Sequence, residues 1–124
     1  MKSFEIEYVL SVSPTVVYDR LCTPSGLSEW FADDVNQKED VFTFFWEGSE
    51  QQAQLLSKKK NEHVRFHWLD SDKEESFFEF KIEVDDLTKD LSLLITDWAY
   101  EDEIEESVEL WDTQVDNLKH VLGI

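Results

Sequence analysis

Hydrophobic and polar residues alternate along much of this chain, which is the pattern of strands that bury one face. Near the N-terminus, Phe4, Ile6, Tyr8 and Leu10 alternate with acidic and small polar residues. From about residue 34 to about residue 98 six further strands are predicted, joined by short polar turns, and this is typical of an antiparallel meander. The clearest of these segments are 41–46, 51–57, 64–68, 78–84 and 91–98, with a loop predicted at 70–73.

The periodicity changes from about Asp102 onward. Apolar residues now recur at steps of four and three, which predicts an amphipathic helix of about 20 residues. At about 1.5 Å per residue this helix is about 30 Å long, close to a strand of nine or ten residues at about 3.3 Å each. One helix can therefore cover one face of the sheet. Its apolar positions are Ile104, Val108, Trp111, Val115, Leu118 and Leu122.

Two short helices are predicted between the first strand and the meander. Ser13-Pro14 and Thr23-Pro24 each place an N-cap residue before a proline suited to the first helical position. The second helix is expected to carry Leu27, Trp30 and Phe31 on one side. A sheet curled around a single helix leaves an open end, so we expect this aromatic pair to plug that end.

The chain is strongly acidic, with 29 Asp and Glu against 11 Lys and Arg and a formal net charge of −18. Such a surface repels phosphate backbones and anionic lipids, so neither a nucleic-acid partner nor a membrane partner is expected. The basic run 58–60 is predicted to be a solvated hairpin turn. A single cysteine, Cys22, excludes an intramolecular disulfide. Together with the lack of a signal-peptide pattern, this favours the reducing cytoplasm.

Candidate metal ligands are poorly placed. His63, Arg65 and His67 share one strand face, but two histidines four residues apart on a strand are about 13 Å apart and cannot share a metal. The carboxylates show no calcium-loop or zinc-helix spacing, so no cofactor is expected. Cys22 lies among apolar residues and is interpreted as a small core residue.

Three segments carry a resemblance to a known family. "SVSPTVVYDRLCTPSGLSEWFADDV", "VRFHW" and "LWDTQVDNLKHVL" resemble the opening, a middle strand and the terminal helix of the START-like, or helix-grip, superfamily. Within it they look most like the branch related to the heat-shock-chaperone ATPase activator. The resemblance covers nearly all of 1–124 and implies one α+β domain, with a curved antiparallel sheet, two short helices after strand 1 and one long C-terminal helix.

The resemblance also implies a cavity between sheet and helix that binds small apolar molecules. The alternative interpretation is that the rings on its predicted walls pack a dry core. Residue alternation places eight side chains on those walls, namely Trp30, Phe44, Trp46, Phe66, Trp68, Phe80, Trp111 and Val115.

The predicted function is non-catalytic binding of a small apolar ligand. Some members of the superfamily are enzymes, but an acid or base inside the pocket is needed for such chemistry, and the predicted inward positions are almost all apolar. The alternative is a protein-interaction module with a filled aromatic core, like the activator's domain. A space of about 300 Å³ or more would favour ligand binding.

Three apolar residues are predicted to face away from this core. Phe45, Phe77 and Leu94 each alternate out of step with core positions. If they lie on neighbouring strands, they form an apolar patch that a monomer would not leave exposed to solvent. This predicts a weak homodimer through the sheet, unless local bulges turn these side chains inward.

Overall fold

The computed structural model describes residues 1–69 and 77–124. It shows an α+β helix-grip fold in which one curved antiparallel sheet is covered by a long C-terminal helix, as the sequence predicts. The loop predicted at 70–73 lies outside the described residues. The seven strands are β1 Lys2–Leu10, β2 Asp34–Lys38, β3 Val41–Trp46, β4 Ser49–Lys59, β5 His63–Trp68, β6 Phe77–Val84 and β7 Leu91–Ala99.

The sheet order is β1-β7-β6-β5-β4-β3-β2. The last six strands form the predicted meander, while β1 pairs with β7 at one edge and the chain then crosses to the other edge through two short helices. These helices are α1 Pro14–Cys22 and α2 Pro24–Leu27. A short 3-10 helix, Glu101–Glu103, leads into the long helix α3, Ile104–Leu122.

The core lies between α3 and the concave face of the sheet. The apolar stripe of α3 contributes Trp111, Val115 and Leu118, which are buried as its periodicity predicts. The strands contribute a group of phenylalanines with no exposed surface, namely Phe42, Phe44, Phe66, Phe78 and Phe80. In β3, where both faces are apolar in sequence, Phe44 therefore faces inward and Phe45 faces outward.

The short helices are held together by one capping residue and one glycine. The Thr23 hydroxyl accepts a hydrogen bond from the Gly26 amide at 3.0 Å and donates one to the Asp19 carbonyl at 2.7 Å. A Cβ added to Gly26 would lie 2.3 Å from the Asp19 carbonyl oxygen, so only glycine allows α1 and α2 to approach this closely. Ser13 has the extended backbone of an N-cap, but its side chain makes no capping hydrogen bond.

The predicted extent of the second helix is wrong. α2 ends at Leu27, and Trp30 and Phe31 lie in the turn that follows. The Leu27 carbonyl accepts hydrogen bonds from the amides of Phe31 and Ala32, at 2.9 and 3.2 Å, which closes this turn tightly. Both aromatic side chains still enter the core, because the turn directs them between the sheet and α3.

The convex face carries the basic residues that share one face of β5. In β5, Arg65 pairs with Glu79 of β6 at 2.8 Å, and its guanidinium lies 4.4 Å from the centre of the Phe77 ring. His63 and His67 flank it on the same side of the strand, alternating with buried Val64 and Phe66.

The predicted apolar patch on this face is wrong in its geometry. Phe45 lies on β3 and Phe77 on β6, and two strands, β4 and β5, separate them. Leu94 of β7 is only 8% exposed. The three side chains therefore do not form a continuous surface, because the meander order keeps β3 and β6 apart. The homodimer itself stays a prediction.

Candidate ligand-binding cleft

A cleft of about 330 Å³ opens between α3 and one end of the sheet. This is the end at which β3, β5 and β7 finish and β4 begins, since neighbouring strands run in opposite directions. Four aromatic residues and a few polar side chains line the cleft. The lining residues are Phe31, Trp46, Gln51, Trp68, Asp97, Ser107, Leu110, Trp111 and Gln114.

Phe31 lies at the back of the cleft and joins its two walls. Its ring stacks on the Trp111 ring, with centroids 5.7 Å apart, and meets the Trp46 ring edge-on at 5.6 Å. On the sheet side, Trp46 and Trp68 lie next to each other with centroids 6.5 Å apart. The aromatic rings are therefore fixed by contacts with one another, and such pairs add stability beyond the area that they bury.

The backbone of Phe31 also ties the sheet to the helix. Its carbonyl oxygen accepts a hydrogen bond from Trp46 Nε1 of β3 at 2.9 Å and another from Gln114 Nε2 of α3 at 3.1 Å. Both donors line the cleft. The turn after α2 thus works as the plug that the sequence predicts, because it connects the strand, the helix and the core at this end.

Asp97 is the one ionisable side chain among the described residues that line the cleft. It projects from the inner face of β7, where its Oδ2 accepts a hydrogen bond from Trp111 Nε1 at 2.9 Å and its Oδ1 accepts one from the Trp98 amide at 2.8 Å. Burial raises the pKa of this carboxyl, and the two hydrogen bonds act in the opposite direction.

A second, shallower groove continues from the cleft along the turn after α2. Its volume is about 420 Å³. It shares Phe31, Trp46, Leu110 and Gln114 with the cleft, so the two form one continuous depression. The groove adds a mainly polar wall composed of Ser28, Glu29, Trp30, Ala32, Asp33 and Asn117.

The predicted wall residues fall into three groups. Trp46, Trp68 and Trp111 line the cleft together. Trp30 lines only the neighbouring groove, and its Nε1 donates a hydrogen bond to the Arg20 carbonyl at 2.8 Å. The other four lie in the packed core with no exposed surface and do not line the cleft, namely Phe44, Phe66, Phe80 and Val115.

The sequence prediction does not include the polar residues that line the cleft. The alternation along the strands nevertheless indicates two of them. Asp97 follows Leu93 and Ile95 at the strand period of two, and Gln51 precedes Ala53 in the same way. Continuing the inward alternation to the strand ends would have placed both in the cleft. Ser107, Leu110 and Gln114 flank the apolar stripe of α3, where periodicity gives no comparable signal.

Two kinds of feature are absent from the part of the chain that the structure describes. Within residues 1–69 and 77–124, no three His, Cys, Asp or Glu side chains come together as a metal site would require. Among the helices of these same residues, none combines the length and the apolar character needed to cross a membrane.

Known structures with this fold include a Bacteroides fragilis protein solved by NMR, 35% identical to this chain, with a TM-score of 0.71 and coverage of 99% of this chain and 92% of the other. The Aha1 dimer from Colwellia psychrerythraea is 19% identical, with a TM-score of 0.83 and coverage of 100% and 98%. A Mesorhizobium loti protein is 14% identical, with a TM-score of 0.81 and coverage of 98% and 97%. No curated protein matches the chain.

The family comparison covers the whole sequence. The START-like superfamily domain matches residues 1–124. This match agrees with the strand order, with the long C-terminal helix and with the resemblance of the opening segment. The chain therefore belongs to the START-like superfamily.

Proposed function

We propose that this domain binds a small, largely apolar ligand in the cleft between α3 and the sheet, without catalysing a reaction. The observation that carries the proposal is the cleft itself, about 330 Å³ in volume and lined by Phe31, Trp46, Trp68 and Trp111. Pockets for small ligands are typically about 300–1,000 Å³, mostly apolar, with a few polar groups that fix orientation. Asp97, Gln51 and Gln114 would be those polar groups.

The composition of the lining supports binding rather than catalysis. The described lining residues include no imidazole, thiol or amine, and their one carboxyl, Asp97, already accepts hydrogen bonds at both oxygens. General acid–base chemistry needs a group that is within reach of the substrate and free to exchange a proton. In this cleft Asp97 is engaged in holding Trp111.

The cleft is small because most of the interior is filled. Phe42, Phe44 and Phe66 pack against one another with centroid distances of 5.1–6.3 Å, and none has exposed surface. A ligand would thus bind in the cleft beside the turn after α2 and contact α3 on one side, rather than lie enclosed behind the helix.

A neutral fluorescent probe, N-phenyl-1-naphthylamine, tests this proposal. We expect its emission to shift to the blue on binding, and we expect it to move the indole NMR signals of Trp46, Trp68 and Trp111. Trp98 serves as an internal control because its ring contacts Phe77 on the convex face, away from the cleft. The proposal would be overturned if the probe fails to bind, or if it shifts only the indole NMR signal of Trp98.

A matched pair of leucine variants locates the binding site. Leu110 is 61% exposed at the edge of the cleft, and Leu87 is 93% exposed in the β6–β7 turn. Leu110→Ser should weaken binding of the probe, while Leu87→Ser should not. Neither change removes a core side chain, so both variants are expected to fold. Native mass spectrometry of the freshly purified protein would then search for the natural ligand.

A second candidate function is a protein-interaction module, and the filled aromatic core supports it. The fold likeness to the Aha1 dimer, at 19% identity, is consistent with self-association of this domain. A protein that binds no small probe but sediments as a dimer would favour this candidate.

A further inference from the structure

The charged side chains around the cleft are all acidic among the described residues that line it and its adjoining depressions. Asp97 lies inside the cleft. Asp33 lines the neighbouring groove beside Glu29, whose charge is balanced by Arg20, and Glu103 and Glu106 line a depression on the other side of Leu110. No lysine, arginine or histidine lines any of these three surfaces within residues 1–69 and 77–124. The electrostatic potential at the mouth of the cleft is therefore negative.

The Asp97 carboxylate has no cationic partner within the described residues. Its two hydrogen bonds come from neutral donors, the Trp111 indole and the Trp98 amide. By contrast, Glu29, which lies outside the cleft, is neutralised by Arg20 at 3.0 Å. A carboxylate taken out of water is costly unless an opposite charge compensates it. The cleft therefore holds a negative charge that a ligand could neutralise.

The aromatic rings of the cleft favour the same kind of ligand. Trp46, Trp68 and Trp111 line the space beside Asp97, and tryptophan presents the most favourable face for a cation among the aromatic side chains. Their rings also provide a flat apolar surface for the uncharged part of a ligand. An anionic amphiphile, such as a fatty acid, would instead bring its carboxylate close to Asp97 and be repelled.

We infer that the ligand is a small organic cation, a protonated amine or a quaternary ammonium with an apolar body. Its charged group would lie beside the Asp97 carboxylate and the Trp111 ring, and its apolar body would lie against Trp46 and Trp68. This inference rests on the proposed function, because it specifies the ligand class for the same cleft. The net charge of −18 would also speed the approach of a cation.

Three probes with similar apolar bodies and different charges test the inference. Benzyltrimethylammonium is the cation, neopentylbenzene is its neutral carbon isostere, and phenylacetate is an anion. Each would displace N-phenyl-1-naphthylamine from the protein at low ionic strength. We expect the cation to bind at least about tenfold more tightly than the isostere, and phenylacetate to bind most weakly.

The possible results separate the inference from the proposed function. If the isostere binds as tightly as the cation, or the anion binds best, the inference is wrong while the cleft remains a binding site. If N-phenyl-1-naphthylamine binds but none of the three probes displaces it, the inference is also wrong. If N-phenyl-1-naphthylamine itself does not bind, the proposed function fails, and the inference fails with it.

Two variants assign the effect to Asp97. Asp97→Asn should weaken binding of benzyltrimethylammonium about tenfold and leave binding of neopentylbenzene nearly unchanged. Asp86→Asn removes the same charge from the exposed β6–β7 turn and should alter neither. Equal losses in both variants would mean that the preference reflects overall charge, which would overturn the assignment to the cleft.

A measurement on the unsubstituted protein avoids dependence on the folding of Asp97→Asn. The carboxyl carbon of Asp97 can be titrated by NMR with and without saturating probe. A bound cation beside Asp97 stabilises the ionised form, so benzyltrimethylammonium should lower its titration midpoint. Neopentylbenzene should not lower it. A midpoint that the cation leaves unchanged would overturn the proposed contact.

Discussion

The Trp111 indole nitrogen donates a hydrogen bond of 2.9 Å to the Asp97 carboxylate. Trp111 belongs to α3 and Asp97 to β7, so this bond joins the long helix to the sheet at the cleft. The same indole ring stacks on Phe31 and meets Phe80 edge-on. One tryptophan thus packs the core with its ring and orients the only described carboxylate of the cleft with its nitrogen.

Asp97 should give the protein a distinctive pH dependence. Burial raises its pKa above the ordinary value of 3.8, so the folded state holds this proton to higher pH than the unfolded state. Between the two pKa values the folded state binds more protons, and the contribution of Asp97 to the free energy of unfolding falls as pH rises. In Asp97→Asn this dependence is absent.

Urea denaturation of both proteins across a pH series checks this expectation. The free energy of unfolding of Asp97→Asn, minus that of the unsubstituted protein, should increase as pH rises through this window and then become constant. A difference that stays constant or decreases would mean that the Asp97 pKa is not raised in the folded state.

Two substitutions separate the roles of Trp111. Trp111→Ala removes a ring that is 5% exposed and should cost about 3–5 kcal/mol, as other large-to-small core changes do. Trp111→Phe keeps an aromatic ring but removes the donor to Asp97, and should cost about 1–3 kcal/mol. It should also raise the pKa of Asp97 further, since the lost hydrogen bond lowers it.

Trp98→Phe is the matched control for the Trp111→Phe change. Within residues 1–69 and 77–124 the buried Trp98 indole nitrogen has no hydrogen-bond partner, so its removal should cost less than the same change at Trp111. Chemical denaturation of the three variants gives the comparison. A smaller loss in Trp111→Phe than in Trp98→Phe would show that the bond to Asp97 contributes nothing to stability.

Sequence periodicity predicts the fold well because strands and helices repeat their buried positions with different periods. The inward positions of β5 and β6, such as Phe66 and Phe80, follow a period of two. Trp111 and Val115 follow the helical period in α3. The extent of α2, the position of Phe45 relative to Phe77 and the turn predicted at 58–60 needed the structure, since β4 continues to Lys59. Local pattern does not specify where a turn closes or how far apart two strands lie.

Periodicity predicts the cleft less completely. Phe44 and Trp46 are both inward residues of β3, yet Phe44 is buried in the core and Trp46 lines the cleft. The same holds for Phe66 and Trp68 in β5. What distinguishes the members of each pair is their depth along the strand, since the tryptophans lie at the strand ends, where α3 and the sheet are no longer in full contact.

Replacing Gly26 by alanine, which adds only a methyl group, should destabilise the protein. A Cβ at this position would lie 2.3 Å from the Asp19 carbonyl oxygen and 2.7 Å from the Arg20 Cα, both backbone atoms that cannot move independently of α1. We expect Gly26→Ala to lower the free energy of unfolding by about 3 kcal/mol. Gly48→Ala is a useful comparison because no atom of the described residues would lie within 4 Å of its Cβ, although its positive φ also costs some stability. Equal losses at the two positions would contradict the close contact at Gly26.

The charge of the chain should make its stability depend on salt. The 29 acidic side chains greatly outnumber the 11 basic ones, and their mutual repulsion opposes the compact state. Salt screens this repulsion, so the melting temperature should be higher in about 0.5 M sodium chloride than in about 0.02 M. Scanning calorimetry in the two buffers measures the difference. A lower melting temperature in high salt would mean that ion pairs, such as Arg65–Glu79, outweigh the repulsion.

Phe45 tests whether the domain associates through its convex face. Its side chain is half-buried on the outer side of β3, where its strand neighbours are Asp34 and Glu50. Because Phe45 lies outside the core, Phe45→Asp should leave the domain folded, at a cost of about 1–2 kcal/mol for the lost ring and for the like charges opposite it on Asp34 and Glu50. Phe44→Asp, one residue away and without exposed surface, should unfold the domain.

Sedimentation at several concentrations would then decide the oligomeric state. If a weak homodimer uses this face, Phe45→Asp should shift the equilibrium to monomer, because it places another carboxylate beside Asp34 and Glu50 at the centre of the contact. Glu83→Gln, on the convex side of β6, changes one charge without changing an aromatic residue and should not shift it in the same direction. A monomer at every concentration, unaffected by Phe45→Asp, would rule out the predicted dimer, because no self-association would then remain to be explained.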